Sequence, residues 1–253
     1  MNESEKIPFT GHLEELRKRL VVCFIAIGIG FVASYGFKEQ IFQILSRPLI
    51  SAMGTGDKLI FTGLPEAFFT YLKVALLSGI MLSAPVILYE FWMFLAPGLY
   101  KKERSLLIPI VFISSFFFIG GALFGYFVVF PFGFKFFLGF ASDNIQALPS
   151  MKEYLGFSAK LLLAFGLVFE LPIVITFLAK LGIVSVDFLK KNRKYALILF
   201  FVGAAIITPP DVVTQVMMAL PLMLLYEISI LGARAFGKKK SVKEKSDEDE
   251  DNN

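Results

Sequence analysis

The side chains in this sequence with chemistry to offer are acids placed where acids are costly or crowded by cations. Glu170 interrupts two nine-residue apolar blocks, 161–169 and 171–179. A charged side chain at the centre of a bilayer-spanning helix costs about 2.5–3.5 kcal/mol on insertion scales, so such an acid must be protonated, paired or hydrated. Its surroundings leave two readings open. Either it is a polar point facing a cavity, a substrate or a partner helix, or it is a neutral acid hydrogen-bonded to a neighbouring helix. Glu14, Glu15 and Glu103 sit instead among Arg17, Lys18, Arg19, Lys101, Lys102 and Arg104. Glu14–Lys18 and Glu15–Arg19 are i,i+4 pairs in the favourable order, with the acid N-terminal. On residue types alone they read as a solvated ion-pair lattice. Lys73 and Lys160 lie near the starts of apolar runs. There a long stem can carry the ammonium to the headgroups, so snorkelling is expected rather than a buried pair with Glu170.

Other chemistry is excluded by count. One histidine, His12, and one cysteine, Cys23, allow no internal disulfide and no zinc or haem site. There is no HExxH and no GxSxG, and Thr55-Gly56-Asp57-Lys58 lacks the remainder of a phosphate-binding loop. The expectation is a protein that is not an enzyme and that uses neither metal nor cofactor.

The elements that must position these groups are membrane spans. Of 253 residues, 56% are apolar, 30 are Phe and 18% are charged, with a mean hydropathy of +0.70. Average soluble chains are roughly 45–50% apolar and 25% charged. Runs of about 18 uncharged residues mark spanning helices, and six candidates follow: 20–37, 67–89, 105–134, 154–179, 195–207 and 212 to about 231. Pro131 and Gly133 predict that the third helix ends near Val129. Pro172 predicts a bend beside Glu170. The first run is not read as a cleaved signal peptide, because no small-residue cleavage site follows it and five more spans do. The expected fold is an all-α integral membrane domain over 20–232. It is preceded by a cytoplasmic segment, 1–19, and followed by a basic-then-acidic tail, 233–253, expected to be disordered.

Eighteen of the 25 Lys and Arg fall on the side of the termini, against five in the alternate loops. The positive-inside rule then places both termini in the cytoplasm. The fifth span, 13 residues long, reaches about 20 Å at 1.5 Å per residue, and the sixth is charge-free for only 15. Both are short against a core of about 30 Å. Phe37, Ile41, Phe42, Leu45 and Leu49 recur at helical spacing, which predicts an amphipathic helix on the membrane surface.

Several segments together resemble the TatC family, the core membrane subunit of the twin-arginine protein translocase. They are His12-Leu-Glu-Glu-Leu-Arg-Lys-Arg19, Ser46-Arg-Pro-Leu49, 61–68, Phe91 through Glu103, Phe165-Gly-Leu-Val-Phe-Glu-Leu-Pro172, Thr208-Pro-Pro-Asp211 with Gln215, and Leu225-Tyr-Glu227. The resemblance spans roughly residues 8–232. It implies a cup-shaped six-helix subunit of the cytoplasmic membrane with short fifth and sixth helices. It further implies a receptor for signal peptides bearing two consecutive arginines, working with TatA- and TatB-like single-span subunits and other copies of itself to export folded proteins on the proton-motive force. By motif, Glu15 and Glu103 are the acids that receive the arginines, with Phe94 as an apolar contact. Glu170 would meet a partner's polar group or the inserted signal peptide, and Thr208 and Gln215 would contact a partner. Asp211, after Pro210, is well placed to N-cap the sixth helix.

Guanidinium forks bind carboxylates bidentately, which suits acids to reading arginine over lysine. The alternative is a proton-coupled secondary transporter using Glu170. Against it stand the absence of an internal repeat and the single deep carboxylate.

Overall fold

Local ion pairing carries the first helix well beyond its apolar run. In the computed structural model, which describes residues 9–53, 58–95, 107–142, 144–207 and 212–237, α1 spans Phe9–Tyr35. Its polar start is laced by Lys18–Glu14 at 2.8 Å and Arg19–Glu15 at 2.5 Å. The remaining helices are α2 (Lys38–Ala52), α3 (Glu66–Leu95), α4 (Leu107–Phe124), α5 (Phe130–Leu138), α6 (Met151–Phe169), α7 (Leu171–Leu181), α8 (Val186–Lys191), α9 (Arg193–Ile207) and α10 (Val212–Phe236). The six runs of the sequence correspond to α1, α3, α4 with α5, α6 with α7, α9, and α10. Four of these are long and apolar enough to cross a membrane on length and composition alone. The bent pair α1 and α2 makes a fifth, and α9, at 15 residues, falls short. The sixth run continues as helix through Glu227 to Phe236, so only its uncharged part is short.

Three pairings build the bundle: α1 on α3, α4 on α6, and α7 on α10. The first two cross at glycine. A Cβ on Gly79 would lie 2.6 Å from the Phe31 amide nitrogen, and one on Gly30 would lie 2.7 Å from the Gly79 carbonyl oxygen. A Cβ on Gly121 would likewise overlap the Phe165 carbonyl of α6. Helices in lipid gain no hydrophobic drive from meeting each other, so close backbone approach at small residues supplies the packing.

One expectation needs correction, and a second gains detail. The third run does not stop at Val129. A π-helical turn, Gly125–Val129, precedes α5, and Pro131 occupies the first turn of that helix. Its missing N–H is there one of the amides no helix would satisfy, so helix continues to Leu138. The amphipathic helix exists as α2, turned 88° from α1, with Phe37 and Ile44 exposed and part of its apolar face turned inward. Phe42, Leu45 and Leu49 are buried against the protein, with α2 seated on α3 and α5.

The α6 end of the bundle is tied by Glu66. Its Oε2 accepts from the Thr62 amide at 2.8 Å, the Thr62 hydroxyl at 3.0 Å and the Gly63 amide at 3.2 Å. Its Oε1 accepts from the Lys152 amide, 86 residues away, at 3.1 Å. One carboxylate thus joins the loop before α3 to the first turn of α6.

Candidate functional site

The far end of α3 carries three informative residues within two turns: Glu90, Trp92 and Phe94. Glu90 faces α1, where Arg19 donates to it through Nη1 at 2.9 Å. The other side of the same guanidinium engages Glu15. Nε at 3.1 Å and Nη2 at 2.5 Å both converge on Glu15 Oε1. Relative side-chain exposures are 18% for Arg19, 14% for Glu90 and 29% for Glu15, against 74% and 67% for Lys18 and Glu14. The Glu14 pair is therefore a solvated surface contact. Its hydrogen bond and the attraction of Lys18 hold the Glu14 carboxyl below its ordinary value. The Arg19 trio is a partly dehydrated cluster bridging two helices. Phe94 is half-buried one turn beyond Glu90, on the same face of α3 by helical spacing. Glu103 lies outside the described residues.

Trp92 points the other way and is fully buried. Its indole Nε1 donates to Ser114 Oγ of α4 at 2.8 Å, and its ring packs edge-on against Phe177 of α7 at 4.9 Å between centroids. The Ser114 hydroxyl faces Glu170. Glu170 is 7% exposed, and neither of its carboxylate oxygens has a hydrogen-bond partner in the structure. Lys73 and Lys160 are both exposed and form no pair with it.

Glu170 also interrupts the helix of its span, two residues before Pro172. α6 ends and α7 begins at this residue, whose carbonyl accepts from the Ile173 and Val174 amides at 3.0 and 2.9 Å. Apolar cavities flank the break. One of about 410 Å³ includes Ile113, Phe117, Pro172 and Thr176, and another of about 310 Å³ includes Val168, Leu171, Leu199 and Met218.

The α9–α10 hairpin is stapled at both ends. Gln215 donates to the Phe201 carbonyl at 2.8 Å, and Arg193 pairs with Glu227 at 2.7 Å. The Gln215 amide is thus engaged within the chain. Thr208 and Asp211 lie outside the described residues.

The reading of residues missed Glu90 and Glu66, which gather partners from sequence-distant helices. A signal existed for each. Glu90 is the acid within the last turns of an otherwise apolar run, and Glu66 is the acid that opens it.

The chain is a helical membrane protein with a half-buried acid–arginine cluster at one end and a buried acid between apolar cavities. Among the described residues it has no group of three metal-ligating side chains. Known proteins agree in kind. The sequence profile described as Sec-independent protein translocase protein (TatC) matches residues 11–221. A relative of that name from Desulforapulum autotrophicum is 68% identical, over 98% of this chain and 90% of its own length. One from Escherichia coli strain K12 is 40% identical, over 93% and 92% respectively. The crystal structure of the twin-arginine translocase receptor TatC superposes with a TM-score of 0.79 at 42% identity, covering 88% of this chain and 98% of that one. The chain belongs to the TatC family of Sec-independent protein translocase proteins. These relatives bear the name of a protein translocase, which leaves the solute-transporter alternative without support.

Proposed function

We propose that this chain is the signal-peptide receptor of a twin-arginine translocase in the cytoplasmic membrane, with both termini in the cytoplasm. Glu15 and Glu103 each receive one guanidinium of two consecutive arginines, and Phe94 packs against the apolar residues beside them. The observation that carries this reading is the state of Glu15. It is partly exposed at one end of the bundle, its Oε1 is held by Arg19, and among the described residues no donor is bonded to Oε2. A guanidinium can therefore dock without dismantling the fold. Cations at Arg17, Lys18, Lys101, Lys102 and Arg104 repel peptides that are merely basic.

Glu170 serves a second stage. Buried, without a charged partner among the described residues and flanked by apolar cavities, it meets the polar transmembrane group of a single-span TatA- or TatB-like partner, or the inserted signal peptide. Thr208 and Gln215 contact such a partner at the α9–α10 hairpin, where α9 alone is too short for the bilayer core. Export of folded cargo then draws on the proton-motive force in an assembly of several subunits.

Crosslinking of a twin-arginine signal peptide to the purified chain tests the receptor reading. Glu15→Ala and Glu103→Ala should each reduce the adduct, and replacing both peptide arginines by lysine should do the same. Unchanged adducts in the variants, with equal labelling by the lysine peptide, would overturn it.

A further inference from the structure

We propose that Arg19 and Glu90 are positioning residues of the peptide-binding site, and that together they set its preference for arginine over lysine by fixing which oxygen of Glu15 is free. This rests on the receptor reading of Glu15 and goes beyond it.

The geometry is directional. A guanidinium is a rigid planar fork, and here its two edges serve different helices. Nε and Nη2 both close on Glu15 Oε1, one turn back on α1, while Nη1 closes on Glu90 Oε2, which α3 supplies from 71 residues away. Without Glu90, Arg19 would be a flexible side chain free to swing across the carboxylate of Glu15. With it, the fork is locked between two acids and Glu15 is oriented by one oxygen only. Among the described residues no donor is bonded to Oε2, which is left as an acceptor of defined direction.

Charge points the same way. Two carboxylates and one guanidinium leave one unit of negative charge in a cluster of three side chains, each less than a third exposed. One further cation completes it. A planar donor can meet Oε2 in line with the oriented carboxylate, whereas an ammonium gains no comparable advantage from that orientation. Arg19 thus confers selectivity through Glu15 without touching the peptide. The seat is firm because α1 and α3 approach through Gly30 and Gly79, which fixes the two acids relative to each other.

Binding of a synthetic twin-arginine signal peptide and its twin-lysine counterpart to the full chain in lipid nanodiscs provides the test. Arg19→Gln and Glu90→Gln should each weaken twin-arginine binding on the order of tenfold, the loss expected for a charge-assisted hydrogen bond. Twin-lysine binding should change little, so the ratio between the peptides narrows. The double variant should be no worse than either single one, because the pair acts as a unit. Arg19→Lys should not restore the ratio. A merely structural role would weaken both peptides equally and leave the ratio intact, and that result in Glu90→Gln overturns the proposal even if Arg19→Gln does not fold. Tighter twin-arginine binding in Arg19→Gln overturns it as well, since Arg19 would then be a competitor. Glu15→Gln in the same assay separates the two levels. If it abolishes binding while the Glu90 and Arg19 variants keep the wild-type ratio, only this inference falls. If it changes nothing, the receptor reading falls and this inference with it.

Discussion

The Tyr126 hydroxyl donates to the Ile44 carbonyl at 2.6 Å, the same carbonyl that Pro48, four residues on in α2, leaves without an amide partner. A second hydroxyl, from Tyr154 of α6, donates to the adjacent Leu45 carbonyl. The proline therefore exposes a backbone acceptor, and tyrosines from the body of the bundle satisfy the exposed edge. These bonds add to the apolar packing on α3 and α5 that seats α2 against the protein.

Tyr126→Phe should lower stability by about 0.5–1.5 kcal/mol, the net worth of one such bond. A Pro48→Ala background restores a backbone N–H at that position, which can serve the Ile44 carbonyl, so there the same change should cost less. Thermal melts of the four proteins in one detergent measure the difference. Additive losses would show that the hydroxyl is not compensating for the proline.

How much of this was legible beforehand depends on the range of the interaction. The apolar runs, the helix break at Glu170 and the ion pairs within α1 were readable because each is local: hydropathy, a proline two residues on, and i,i+4 spacing. The amphipathic pattern of Phe42, Leu45 and Leu49 specified a helix but not its environment. An apolar stripe is satisfied equally by lipid or by protein, and the contacts that decide which, with α3 and α5 and with the Tyr126 and Tyr154 hydroxyls, come from residues distant in sequence. Pro131 misled because a π-helical turn ahead of it starts a new helix that no residue pattern announces. Glu15 was identifiable, whereas its coupling through Arg19 to Glu90 required knowing that α1 crosses α3 at Gly30 and Gly79.

That crossing yields a second prediction. Gly79→Ala places a methyl against the α1 backbone, where no side-chain rotation relieves it. Overpacking of this kind costs about 1–3 kcal/mol, read as a lowered melting temperature. Since the crossing also sets Glu90 against Arg19, twin-arginine peptide binding should fall in parallel. Gly28→Ala on α1, where a Cβ meets nothing within 4 Å, should leave the melting temperature near wild type.

A third concerns the buried indole. Ser114→Ala leaves the fully buried Trp92 Nε1–H without an acceptor, at a cost of about 1–3 kcal/mol. Adding Trp92→Phe removes the orphaned donor, so the double variant should lose less than the sum of the singles in a chemical or thermal melt. Full additivity would contradict the pairing.

Glu66→Gln supplies the fourth. The amide keeps one carbonyl oxygen for the Thr62 and Gly63 amides but turns a donor toward the Lys152 N–H, which Oε1 now accepts. Hydrogen exchange should quicken at Lys152 more than at Thr62, with a lower melting temperature. Equal protection at both amides would show that the carboxylate is not the tie between α3 and α6.

The central claim is that two acids each read one arginine, and a double-mutant cycle across the interface tests it most directly. Glu15→Gln and Glu103→Gln would be combined with peptides carrying lysine at the first or the second arginine, and all affinities measured in nanodiscs. Each acid should couple to one arginine and not to the other, with a coupling of about 1.5 kcal/mol or more, as close charge pairs across interfaces give. Coupling of both acids to the same arginine, or none for either, would contradict the account.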